Sequence, residues 1–110
     1  MATITLKKLG QAAIGTSVST LYTVPASTKA IAKSIDICNT ATSGTTIRLF
    51  LVPNGGTAGT TNAMLYDMSL PANSMLSWTG AQILDTAGDT IQVQAGATGC
   101  TITASGVQET

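Results

Sequence analysis

Polar and apolar residues alternate along this chain in short runs, and no stretch keeps a helical period with caps at its ends. Period two is the spacing of a strand with one face in a core and one face in water. In the first run Ile4, Leu6 and Lys8 alternate with Thr3, Thr5 and Lys7. Gly10 follows, a residue that inside a strand marks a bulge or bend. Leu21–Val24 is a second run, stopped by Pro25. In the third, Ala30–Cys38, the odd positions Ile31, Lys33, Ile35 and Ile37 form the expected buried face. Thr45–Val52 is apolar at Ile47, Leu49 and Leu51 and partly apolar at Arg48, Phe50 and Val52, as expected of a strand that is central or is covered by a neighbour.

Pro53-Asn54-Gly55-Gly56 ends that strand as a turn. Ala63–Met68 and Ser74–Trp78 read as a fifth and sixth strand joined by Leu70-Pro71-Ala72-Asn73, and Gln82–Leu84 as a short extended piece. Thr90, Gln92 and Gln94 alternate with Ile91, Val93 and Ala95; Thr101, Thr103 and Ser105 alternate with Cys100, Ile102 and Ala104. Roughly eight short strands, with turn signals about every 8 to 12 residues, predict an all-β, antiparallel sandwich or jelly roll. At 110 residues the chain suffices for one core, so residues 1–110 are expected to form a single domain, with 1–9 as an N-terminal arm or exchanged strand.

Only 9% of the residues are charged and the formal net charge is +0, against about 25% charged in an average domain. Thr, Ser, Gly, Asn and Gln must cover the surface instead. A neutral, hydroxyl-rich surface suits a chain packed into an assembly, because isolated soluble domains usually keep a net charge. Nucleic acid is excluded as a partner, since only Lys7 and Lys8 are adjacent cations. A membrane is excluded as well: no apolar run approaches the ~20 residues of a spanning helix, and the first residues contain no signal-peptide core. Cys38 and Cys100 match no zinc or redox spacing and are expected to be reduced core residues in a cytosolic setting.

The chain contains no histidine, which removes the commonest general base and metal ligand and any Ser-His-Asp or Cys-His arrangement. Asp85 and Asp89 are the close carboxylate pair. A glycosidase or a calcium site competes there with plain turn chemistry, and turn chemistry is favoured because sugar clefts need aromatics and calcium needs six or more oxygens. Asn54-Gly55-Gly56 has no P-loop lysine. Trp78 is a core or interface residue; Met64, Met68 and Met75 are core filler or an adaptable contact surface. No catalytic, cofactor-binding or metal residue is expected. The candidate interface residues are Ile4, Leu6, Lys7, Lys8, Trp78, Met64 and Met68.

Leu9-Gly10-Gln11, Leu21-Tyr22-Thr23-Val24-Pro25-Ala26 and Ile35-Asp36-Ile37-Cys38-Asn39-Thr40 resemble small virion structural proteins of tailed bacteriophages. So do Ala63–Tyr66, Gly88-Asp89-Thr90-Ile91-Gln92-Val93 and Ala104-Ser105-Gly106-Val107. The resemblance implies a β-sandwich module found as a head decoration or cement protein, or in tail fibres and baseplates, often as a homotrimer. Its partners would be copies of itself and the major capsid protein or other virion proteins, with assembly in the host cytoplasm. The chain has neither a long shaft nor a receptor-binding domain, which favours decoration over fibre. Ala2–Leu9 is the segment expected to add to a neighbour's sheet edge. A carbohydrate-binding module centred on Trp78 is the rival from another class; a small hydrolase is disfavoured by the missing histidine.

Overall fold

The computed structural model describes residues 3–110. Eight strands run β1 (Ile4–Ala13), β2 (Ser19–Thr23), β3 (Lys29–Asn39), β4 (Thr45–Val52), β5 (Ala63–Leu70), β6 (Ser74–Leu84), β7 (Thr90–Ala95) and β8 (Cys100–Glu109). They form two four-stranded antiparallel sheets, β1-β8-β3-β6 and β2-β7-β4-β5. Only the β4–β5 connection stays within a sheet; every other connection crosses between sheets, which makes the sandwich a jelly roll.

The core lies between the sheets. β3 and β8 supply Ile35, Ile37, Ile102 and Ala104 from one side, and β4 and β7 supply Ile47, Leu49, Ile91 and Val93 from the other. Burying each of the larger side chains contributes about 1.5–3 kcal/mol, an upper figure because the unfolded chain already hides part of that surface. β4 lies between β7 and β5 and is buried on both faces, with Ile47 and Leu49 in the core and Phe50 and Val52 buried outside the core cluster. β7 keeps the expected alternation, with Ile91, Val93 and Ala95 buried and the intervening Thr90, Gln92 and Gln94 half-buried.

In the β1-β8-β3-β6 sheet, two departures from strict alternation determine which side chains face out. The first is at Lys8–Gly10, where β1 slips register against β8. A Cβ on Gly10 would stand 2.6 Å from Leu21 Cγ, so only glycine lets β1 approach β2 there. The second corrects the expected face of β3. Register shifts between Ala32 and Ser34 against both β6 and β8. Before the shift Ala30 and Ala32 are buried; after it Ile35 and Ile37 are. Lys33 is the bulged residue, and Ile31 therefore lies with its paired neighbours Val107 and Ile83 on the outer face rather than in the core.

On the partner strand, Thr79 pairs with Ser34 and Gln82 with Ala32, so Gly80 and Ala81 together oppose Lys33. That bulge hides the continuity of β6, which reads in sequence as two separate pieces. Cys38 also differs from expectation: it is half-buried on the outer side, whereas Cys100 is buried, and both thiols are free. Cys38 pairs with Thr101 and Cys100 with Asn39, so the two sulfurs project to opposite faces of the sheet.

Candidate assembly surface

The outer face of the β1-β8-β3-β6 sheet carries a continuous apolar row. Leu6 pairs with Val107, Val107 with Ile31, and Ile31 with Ile83, so one side chain from each strand stands in line across the sheet. Ile4 continues the patch two residues along β1. Leu6 is 85% exposed, Ile83 67% and Ile4 62%. Outward leucine and isoleucine at this exposure, contiguous over four strands, are unusual for a surface that meets only water.

Charges border the row on both sides. Lys7, Lys8 and Lys33 line one shallow concavity with Leu6, Ser105, Gly106 and Val107. At the other side Lys29 stands directly opposite Glu109 across the β3–β8 pair, and both line a second concavity with Ile4, Ile31, Ile83 and Val107. Gly106 allows this packing at the β3 bulge, since a Cβ there would stand 1.9 Å from the Ile31 carbonyl oxygen.

The structure thus brings Ile4, Leu6, Lys7 and Lys8 together, and it places the other three candidates elsewhere. Trp78 packs partly against the core from β6, with its ring over Gly80. Met64 packs partly against the core from β5, and Met68 is exposed on the same edge strand of the opposite sheet. Ala2, the start of the expected strand-adding arm, lies outside the described residues. From Ile4 onward the arm is an edge strand of its own sheet, paired with β8. Ile31, Val107 and Ile83 were not anticipated as surface residues: the bulge that turns Ile31 outward has no clear sequence signal, and Ile83-Leu84 is an apolar pair of ambiguous facing.

A second feature sits on the outer face of the β2-β7-β4-β5 sheet. Arg48 Nε donates to Asp67 Oδ1 at 2.7 Å and Nη2 donates to Oδ2 at 3.2 Å, while the guanidinium carbon lies 4.2 Å from the centre of the Tyr66 ring. Asp67 has φ 55°, a left-handed conformation that Asp tolerates, within the register shift of β5 against β4. The hydrogen bond from Arg48 holds the Asp67 carboxyl below the usual carboxylate range, and the same bond raises Arg48. Each charge is answered by the other, so the pair fastens the β5 bulge to β4 rather than presenting a general acid or base.

Asp89 resolves the carboxylate question raised by its spacing from Asp85. Its Oδ1 accepts from the Asn54 amide at 2.8 Å and its Oδ2 from the Thr86 amide at 3.2 Å. Both oxygens are thus committed to turn backbone. Among the described residues, no group of three or more Cys, Asp or Glu is clustered so as to hold a metal ion, and no helix is long and apolar enough to cross a membrane. Burial pushes the Cys100 thiol up, and the nearby Cys38 adds to that shift.

No protein-family model matches the chain, and no curated protein matches it in sequence. Solved structures do match. A chain of Bacillus endospore appendages, described as disulfide-linked pili, aligns with a TM-score of 0.58 and 19% identity over 98% of this chain and 88% of that one. A chain of the T13 infectious bursal disease virus particle aligns with a TM-score of 0.52 and 9% identity over 99% of this chain. This chain spans only 30% of the virus chain. At such identities the likeness establishes the shared β-sandwich fold.

Proposed function

We propose that the chain is a non-enzymatic structural protein of a bacteriophage virion, and specifically a head decoration or cement protein that binds and stabilises the capsid surface. The observation that carries this reading is the outward apolar row Leu6–Val107–Ile31–Ile83 on a domain with 9% charged residues. Such a surface gains by contact with protein and gains little from solvent. The fold supports the reading, since jelly rolls recur in capsid proteins. The assembly is a homo-oligomer, with the trimer implied by the phage resemblance as its stoichiometry. It forms in the host cytoplasm and ends on the virion. Stabilisation comes from many uncharged contacts repeated over a shell, where multivalency compensates for weak single sites.

The edge strand β1 is the element that would extend a neighbour's sheet. A tail-fibre, neck or baseplate module is the second reading. It is favoured by the likeness, over nearly the full length of both chains, to a chain from appendages described as pili. Cryo-electron microscopy of expanded phage capsids and of tails, each incubated with the purified protein, separates the two. Density at symmetry-related positions on the capsid supports decoration. Bare capsids with decorated tails support the second reading, and both particles bare defeat both. Capsid binding that survives deletion of residues 1–9 removes strand addition by β1.

A further inference from the structure

The outer face of the β1-β8-β3-β6 sheet has a pattern that fits one particular occupant. Consider an axis running along the strands, midway between the central strands β8 and β3. A half-turn about it carries β8 onto β3 and β1 onto β6. In the register of the sheet, Val107 then exchanges places with Ile31, Leu6 with Ile83, and Glu109 with Lys29. Apolar residues fall on apolar residues, and the acid falls on the base. A face with that property is complementary to itself.

We propose that this face is a two-fold interface with a second copy of the same chain. The two sheets pack face to face with strands aligned, about 10 Å apart, the usual arrangement for stacked sheets. Val107 of each copy lies on Ile31 of the other at the centre, where the twist between aligned sheets displaces side chains least. Leu6 and Ile83 close the two edges. Two reciprocal ion pairs form, Glu109 of each copy to Lys29 of the other.

Three observations favour a second copy over an unrelated partner. Lys29 and Glu109 face each other across their own sheet, yet the ion pair found among the described residues is Arg48–Asp67, so both charges are available to a neighbour. The reversal of charge from β8 to β3 matches the two-fold operation. Of the four most exposed large apolar side chains among the described residues, Leu6 and Ile4 lie on β1 and Ile83 and Met75 on β6, the two edge strands that the operation exchanges. Lys8, on the same face as Leu6, and Lys33 fall on the rim of the contact, where long stems cover apolar surface and the ammonium groups stay in water.

This pairing deepens the assembly reading, because it names a partner for the apolar row, but it requires no capsid. Its stoichiometry is even: a dimer alone, or a hexamer if edge contacts also build a trimer. The test is a charge-exchange experiment on the isolated protein, by size-exclusion chromatography with light scattering. Wild type is expected at twice the 11.1 kDa chain mass, or at an even multiple of it. Lys29→Glu places two acids against two acids and Glu109→Lys two bases against two bases, so each variant alone should associate at least about tenfold more weakly. Mixed together, the two variants should restore wild-type association as a heterodimer, and so should the double variant. Leu6→Ser should weaken association in every background.

Lys29, Glu109 and Leu6 are all exposed, so the fold tolerates these changes. Wild type that remains monomeric up to about 1 mM overturns the proposal, because even a small specific contact is populated at that concentration. So do single charge variants that pair as well as wild type, or a mixture that fails to pair. A dimer that ignores capsids refutes decoration and leaves the interface standing; a capsid binder that never dimerises does the reverse.

Discussion

Asn39 is the most informative position at which to perturb the fold. Its side chain is 1% exposed at the end of β3. Its Nδ2 lies near three carbonyl oxygens, those of Ser43 at 3.0 Å and of Leu70 and Pro71 at 3.2 Å each, while its Oδ1 accepts from the Ala41 amide at 3.0 Å. One amide therefore ties the β3–β4 turn to the β5–β6 turn across the end of the sandwich. Asn39→Asp keeps the shape and the acceptor and replaces the donor with a second oxygen aimed at those carbonyls. Each lost bond costs about 0.5–1.5 kcal/mol, and the buried negative charge adds to that, for a total of about 3–5 kcal/mol at pH 7. With a urea slope of about 1–1.5 kcal/mol/M, the midpoint of unfolding should fall by roughly 2–5 M.

The penalty has a pH signature. Burial and the facing carbonyls disfavour the ionised form, so the folded-state pKa of Asp at this position rises above the unfolded value of about 3.9. Only the part of the penalty that ionisation adds is tied to pH, at about 1.36 kcal/mol per pH unit of that shift. The protonated carboxyl can donate one of the lost hydrogen bonds. Relative to wild type at each pH, the variant is therefore least impaired below about pH 4 and loses stability as pH rises from there toward the raised folded value. Urea titrations of both proteins at intervals between pH 3 and 8 measure this directly. An Asn39→Asp midpoint within about 0.3 M of wild type at pH 7, or a difference that stays flat from pH 4 to 7, would show that the Asn39 amide does not tie the two turns together.

Two further outcomes follow from single contacts. The Asp67 carboxyl should titrate by NMR below the usual carboxylate range and move back up in Arg48→Met; the stability this pair contributes is present above the unfolded pKa of Asp and lost as pH falls through its lowered folded value. A thiol reagent should label one cysteine quickly and the other slowly. The fast site is half-buried Cys38, because Cys100 is buried and its thiol pKa is raised; Cys100→Ala should abolish only the slow phase.

Much of the architecture is legible in the chain because a strand's period of two is a strong signal where one face is buried. β4 and β7 appear with their observed bounds, and β7 alternates throughout. Legibility fails at the bulges. One extra residue at Lys33 inverts which positions of β3 face the core, and no local pattern marks it, because Ala30 and Ala32 are small enough to fill either environment. The same bulge conceals that β6 is one strand. The surface carrying the proposals was half visible: Ile4 and Leu6 stand out on a polar edge strand, but Val107, Ile31 and Ile83 join them only through pairing with strands distant in sequence. The Arg48–Tyr66–Asp67 cluster likewise depends on the β5 bulge, which fold-level pairing creates. Sequence alone did indicate the commitment of Asp89 to a turn, since Asp before a strand and after glycine is ordinary turn chemistry.

The most direct test of the central claim, that this chain works by assembling, is its mass in solution by light scattering with and without expanded phage capsids. A stable oligomer of the 11.1 kDa chain that co-sediments with capsids in saturable amounts is expected. A particle of 11.1 kDa at every concentration, left in the supernatant when capsids are pelleted, would contradict it.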